Sequence, residues 1–596
     1  MRKANLRQRW THLVALGIVA TGIGWSQVAP MVLYELGRSA GFRLQEGAGA
    51  AVVEPVELPG APVTAGLRLS ITEPLNPGET VRATAPIAER VDANDVLLVE
   101  FWGRAVEAEQ LPAKVEVRFE PGLTRYSSPL RMVARLDRQW RKVQYPFTVS
   151  RNYGPGEARL ELVARRQRAT VELVGLRLLN YRNTVRKEDL PCTRLDYPGS
   201  ELQASWRTAA DQRIEKLRKA ELVVRVVDRK GRVLPGASVR VRMQRHAFGF
   251  GTAVSAPLLL GQARNASPED VERYRRELLR LFNKAVVENH LKWPLWIDPQ
   301  QRELAIRSVE WLRAHGLKVR GHVLVWPSWR WMPPQAVALK DRPHELRWFI
   351  LEHIRDEVGA LRGKIAEWDV LNEPYSNHDV MDLLGRDVMA EWFVQARQVD
   401  PEAKLYINDY DILTTYDPPH RDHYEATIRF LLERGAPLDG IGMQGHFKSE
   451  VTGPEELLAI LDRFARFGKA LQITEFDVDT VDERLQADFT RDLMTVAFSH
   501  PAVEGFLMWG FWEGQHWIPN GAMFRRDWTP KPNARVYEEL VFRRWWTDVS
   551  GRTGNDGVYR TRGFLGEYLV EAELGDRRVE RRLELRKPGV TVELVL

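Results

Sequence analysis

Two glutamates close short apolar runs, at Trp368-Asp-Val-Leu-Asn-Glu373-Pro374 and at Ile473-Thr-Glu475-Phe-Asp477. A carboxyl pair on separate buried strands can cleave a glycosidic bond with retention. One group stays protonated to release the leaving sugar oxygen, and the other stays ionised to attack the anomeric carbon. That division of labour needs the two about 5–5.5 Å apart in unlike surroundings. They lie roughly a hundred residues apart, room for about three βα units, so both strands fit in one closed barrel. A lone Glu after a strand often only caps the next helix; the pair points to chemistry.

Eight strand-like runs follow from position 246: His246–Val254, Lys284–Glu288, Lys318–Trp326, Ile365–Asn372, Lys404–Asn408, Gly440–Gly445, Ala470–Glu475 and Val503–Trp509. Most are apolar or β-branched, as strands covered on both faces should be. Helical patterns separate them, such as Ser267-Pro268-Glu269-Asp270, which opens a helix with a capping serine and proline in its first turn. The expectation is an α/β protein whose catalytic unit, residues 246–546, is a (β/α)8 barrel. Its site then lies at the carboxyl ends of the strands.

At these positions the sequence resembles the family 10 glycoside hydrolases, the endo-β-1,4-xylanases. The segment around Glu373 is similar to that family's acid/base motif, and the segment around Glu475 to its nucleophile motif. The resemblance continues in order through Glu288-Asn289-His-Leu-Lys292, Arg320-Gly321-His322-Val-Leu-Val-Trp326, Tyr406-Ile-Asn408-Asp409-Tyr410, Gln444-Gly-His446, Trp509-Gly510 and Trp517. It implies that Glu288, Asn289 and Lys292 grip the sugar one unit beyond the cleaved one, and that His322 and Gln444 contact substrate. It also implies that Asn372 donates to the 2-hydroxyl and that His446 stands beside the nucleophile, oriented by Asp477. Trp326, Trp509 and Trp517 would be flat walls for sugar rings, although a chain with 20 Trp must bury most of them. One departure stands out. The family continues after Trp326 with His-Ser-Gln, whereas this chain has Pro327-Ser328-Trp329. Two hydrogen-bonding side chains are lost there, so the preferred sugar could differ.

The rest of the 596-residue chain exceeds one barrel. Residues 1–36 read as a signal peptide or a membrane anchor: Arg2, Lys3, Arg7 and Arg9 precede an uncharged stretch from Leu13 to Tyr34. Export to the medium or cell surface follows, with membrane contact only if the segment is uncleaved. Residues 50–182 alternate like a jelly-roll β-sandwich and resemble carbohydrate-binding modules; Trp102, Tyr126 and Trp140 are candidates for a sugar face or for core. Residues 183–218 form a linker with a helix. Residues 219–245, read as a hairpin, and 547–596 would combine into a small split sandwich interrupted by the barrel.

The formal net charge is only +6 and no dense Lys/Arg tract occurs, so nucleic acid is not an expected partner. The single Cys192 excludes an intrachain disulfide and a thiolate metal cluster. The proposed chemistry needs no metal and no cofactor. The leading expectation is therefore a retaining endo-β-1,4-xylanase acting on a polysaccharide. Its rivals are a retaining hydrolase of another β-glycan and a non-catalytic polysaccharide-binding surface protein. Oligomeric state is not legible.

Overall fold

The computed structural model describes residues 29–47, 49–73, 80–109, 111–121, 128–164 and 168–596. Eight parallel strands close into a barrel: Gly249–Val254, Lys284–Val287, Lys318–Val325, Glu367–Asn372, Lys404–Asp409, Gly440–Lys448, Ala470–Asp479 and Val503–Met508. Helices cover its outside. The Pro268–Leu281 helix starts at a capping box in which Ser267 and Asp270 satisfy each other's backbone N–H groups. The first strand begins at Gly249 rather than His246. His246 instead ends a neighbouring strand, Ser238–His246, and its Nε2 donates to the Val541 carbonyl at 3.1 Å. The sixth and seventh strands run longer than expected, past Gly445 and Glu475.

A barrel of this size has a filled interior, and here part of the filling is ionic. Lys284 Nζ donates to both oxygens of Glu367 at 2.9 Å, and Arg320 reaches Glu367 at 2.8 Å and Asp369 beside it. All four side chains are buried. The paired charges hold strands two, three and four in register below the site. Burial opposes ionisation of Glu367, but Lys284 and Arg320 win and hold it down at about 2.

The N-terminal sandwich consists of two antiparallel sheets. It reaches back to Met31–Glu35, a strand paired with Ala169–Asn180 in which Tyr34 is fully buried. The expected leader of residues 1–36 is thus corrected at its end, because an apolar run that enters a sheet looks the same in sequence as one that enters a membrane. Residues 1–28 lie outside the described residues, as does Tyr126. Trp102 and Trp140 are half-buried on the outer face of the first sheet, where Arg104 lies 4.7 Å over the Trp140 ring. Among the described residues no helix is long and apolar enough to cross a membrane.

The linker carries a helix, Ser205–Leu217, and ties sandwich to barrel. Arg207 and the Tyr197 hydroxyl converge on the buried Asp492 at 2.6–2.8 Å. Beyond it, Lys219–Val227 and Ser238–His246 do not pair as a hairpin. The first joins Val558–Phe564 and Gly589–Val595; the second joins Asp548–Arg552 and Gly566–Leu574. Each has an inward row (Leu222, Val224, Val226 and Val239, Val241, Met243), so the two face each other across one core as members of opposite sheets.

Candidate active site

Glu373 stands just past the end of the fourth strand, in the left-handed region with φ 54°. That backbone costs about 1–2 kcal/mol outside glycine. It is held by the Glu373 N–H, which donates to the Asn408 carbonyl on strand five at 2.8 Å. The carboxyl accepts from Gln444 Nε2 at 2.9 Å and from Asn377 Nδ2 at 3.2 Å. Burial pushes its pKa up to about 7, and the neighbouring Asp409 and Glu475 carboxylates push the same way.

Glu475, on strand seven, is tuned the other way. Burial alone would raise it, but His446, His322 and Asn408 outweigh burial and hold it below the usual carboxylate range. Asn408 Nδ2 donates to one carboxylate oxygen at 2.7 Å, and His446 Nε2 lies 3.1 Å from the other. The second nitrogen of His446 faces Asp477 at 3.0 Å. Burial would keep His446 neutral, yet the two carboxylates raise it to about 10, so at neutral pH it is an imidazolium donating to both. Trp517 Nε1 donates to the remaining oxygen of Asp477 at 2.7 Å. One carboxyl therefore keeps its proton where its partner stays ionised.

Around this pair the other expected residues converge. Asn372 Oδ1 accepts from Asn408 at 3.0 Å and from Gln444 at 3.4 Å, which fixes the amide; its buried Nδ2 has no protein partner and is a ready donor for a ligand hydroxyl. His322 Nδ1 faces Asp369 at 2.9 Å, and the Trp509 ring packs edge-on to His322 and His446, at 5.3 and 6.1 Å. Lys292 Nζ donates to Asn289 Oδ1 at 2.9 Å and lies 5.4 Å over the Trp326 ring. Burial lowers Lys292, against the pull of Glu288, Glu475 and Glu373, and burial raises Glu288. Trp326 is itself stacked on Trp331 at 4.1 Å, and Trp517 is 36% exposed.

At the departure after strand three, Trp329 turns to local partners. Its backbone N–H donates to Asp379 at 2.8 Å, and Lys340 lies 4.5 Å over its ring. Asn377 and Asn408 complete the carboxyl contacts. Asn408 could be found in sequence, since it lies in a quoted motif; Asn377 could not, because it returns to Glu373 only through the turn after Pro374. Among the described residues no group of three or more His, Cys, Asp or Glu is arranged to hold a metal ion.

The glycosyl hydrolase family 10 model matches residues 240–539, just over half of the chain. The chain belongs to glycosyl hydrolase family 10. It is 33% identical over 394 residues to the anti-sigma-I factor RsgI6 of Acetivibrio thermocellus, covering 65% of this chain and 49% of that protein. It is 31% identical over 362 residues to endo-1,4-beta-xylanase 1 of Arabidopsis thaliana, covering 60% and 37%. The chain thus spans about half the length of the first relative and about a third of the second. Xylanase 10B of Thermotoga petrophila, solved with xylobiose, aligns at 26% identity and TM-score 0.45, covering 50% of this chain and 95% of that one.

Proposed function

We propose that this family 10 glycosyl hydrolase is a retaining endo-β-1,4-xylanase with Glu475 as nucleophile and Glu373 as acid/base. The observation that carries the reading is the opposed tuning of the pair: Glu373 is raised to about 7 while Glu475 is lowered. In the first step a Glu475 oxygen bonds to the anomeric carbon as the bond to the leaving oxygen breaks, and that oxygen takes the Glu373 proton. Glu475 is then a neutral ester, which removes a negative charge that had raised Glu373. Glu373, left ionised by the first step and kept so by the loss of that charge, takes a proton from water as that water attacks the anomeric carbon and frees Glu475. His446 keeps Glu475 ionised, and Asn372 offers its free N–H to the sugar 2-hydroxyl, a contact that strengthens as charge develops.

Xylan as the substrate is supported by the intact Glu288, Asn289 and Lys292 group and by the xylanase name of the Arabidopsis thaliana relative. Pro327 and Trp329 favour a second reading, a retaining hydrolase of another β-glycan. Reducing-sugar release on xylan, mixed-linkage glucan, cellulose and mannan separates the two, beside Glu373→Gln and Glu475→Gln. The proposal expects xylan cleavage that both variants lose by orders of magnitude. Activity confined to another glycan would transfer the reading to that polymer, and binding without turnover on all four would leave a polysaccharide-binding scaffold. We also infer export from the basic residues ahead of Leu13, testable by locating a C-terminally tagged chain in cell fractions.

A further inference from the structure

The polar face that holds the catalytic groups continues beyond them. Strands six and seven run on in register, pairing Gln444 with Glu475, His446 with Asp477 and Lys448 with Asp479. Alternate residues share a face, so each pair is a rung about 6.6 Å further from the nucleophile. The N-terminal sandwich is docked at the last rung. Its edge strand Leu130–Leu136 lies there, with the Val133 N–H donating to Ser449 Oγ at 2.8 Å and Lys114 paired with Glu450. Arg131 on this strand approaches Glu116 at 3.1 Å and lies within electrostatic reach of Asp479. Lys448 acts on Asp479, Glu116 and Asp411. Asp411 accepts from the Tyr416 hydroxyl at 2.5 Å, and Tyr416 is 37% exposed.

Glu288, Asn289 and Lys292, just past the end of strand two, lie on the side read above as binding the sugar beyond the cleaved one. Strands five to seven lie across the barrel, where the leaving part of the polymer must pass. An ion network serving only to join the domains would not need an exposed aromatic ring at its border. The cations are also matched by carboxylates, which suits a neutral chain of hydroxyls better than an acidic one. We propose that Tyr416 and Lys448 of the barrel and Arg131 of the sandwich form a distal subsite for a sugar of the same polymer on the leaving-group side of the cut. The proposal rests on the xylanase reading and assigns the sandwich a share in substrate positioning.

Reducing-end-labelled xylohexaose and an aryl β-xylobioside, cleaved by the full chain, test it. The aryl substrate is too short to reach the strip. Arg131→Ala, Lys448→Ala and Tyr416→Ala are each expected to lower kcat/KM on the hexaose about tenfold, the effect of one lost sugar contact of ~1.4 kcal/mol. They should also move cleavage toward the labelled end, while the aryl substrate changes less than twofold. Lys114→Ala, which removes a docking ion pair to Glu450 and none of the three proposed sugar-binding side chains, should leave the cleavage pattern as it is. Equal losses on both substrates, unchanged hexaose cleavage in all three variants, or the same shift in Lys114→Ala would overturn the subsite. Failure of the wild type to cleave either substrate would instead refute the xylanase reading on which it rests.

Discussion

Replacing His446 by asparagine removes the positive charge on which Glu475 depends, while leaving Asn408 in place as a donor at 2.7 Å. Without the imidazolium, burial acts on Glu475 with less opposition, so its pKa rises. Glu373 moves the same way, because His446 also lowers it. Both limbs of the kcat/KM profile are therefore expected to move to higher pH together. A hydrogen bond to a buried charge contributes about 1.5–3 kcal/mol, so nucleophilic attack on the acid side should slow about 10- to 150-fold. The assay is kcat/KM against pH with two aryl β-xylobiosides. One has a leaving group that needs protonation and shows both limbs; the other needs none and isolates the Glu475 limb. A loss under about threefold with an unmoved acid limb, or limbs moving in opposite directions, would refute this account of how the nucleophile is kept ionised.

In the wild type, the alkaline limb on the substrate needing protonation is expected near pH 7, where Glu373 loses its proton. Gln444→Leu removes a donor that favours the carboxylate and should move that limb upward, as a pH–rate series would show. Asp492→Asn leaves Arg207 facing a neutral amide at the linker and should cost about 3–5 kcal/mol in denaturant unfolding. His246 and His353 are buried and held down by burial to about 4 and about 3. At these two positions the unfolded chain then binds protons that the folded chain does not, so their contribution to stability is lost as pH drops below about 6.5, and the gap in melting temperature between the native chain and His246→Gln should shrink over that range.

The barrel and its two glutamates were legible because their signals are local. Each strand is a short apolar run, and each glutamate ends one. What was not legible depends on partners far away in the chain. Lys284, Arg320, Glu367 and Asp369 are charges inside strands, and only the closed barrel shows that they neutralise one another. The Met31–Glu35 strand has the composition of a leader's end, and nothing local says that it pairs with Ala169–Asn180. Lys219–Val227 and Ser238–His246 flank turn residues as a hairpin does, but strands from the far end of the chain compete for both and win. Trp326, Trp509 and Trp517 look alike in sequence; in the fold one is stacked on Trp331, one packs against two histidines, and one is fixed through Asp477 with its ring open.

The central claim is that Glu475 bonds to the sugar and Glu373 moves the proton. Its most direct test is to inactivate the chain with a 2-deoxy-2-fluoro-xylobioside carrying an activated leaving group, then map the label by mass spectrometry of the digested protein. The account predicts one fluoroglycosyl group on the peptide containing Glu475, and none in Glu475→Gln. A label on any other residue, or turnover of the unmodified substrate with inversion and no label, would contradict it.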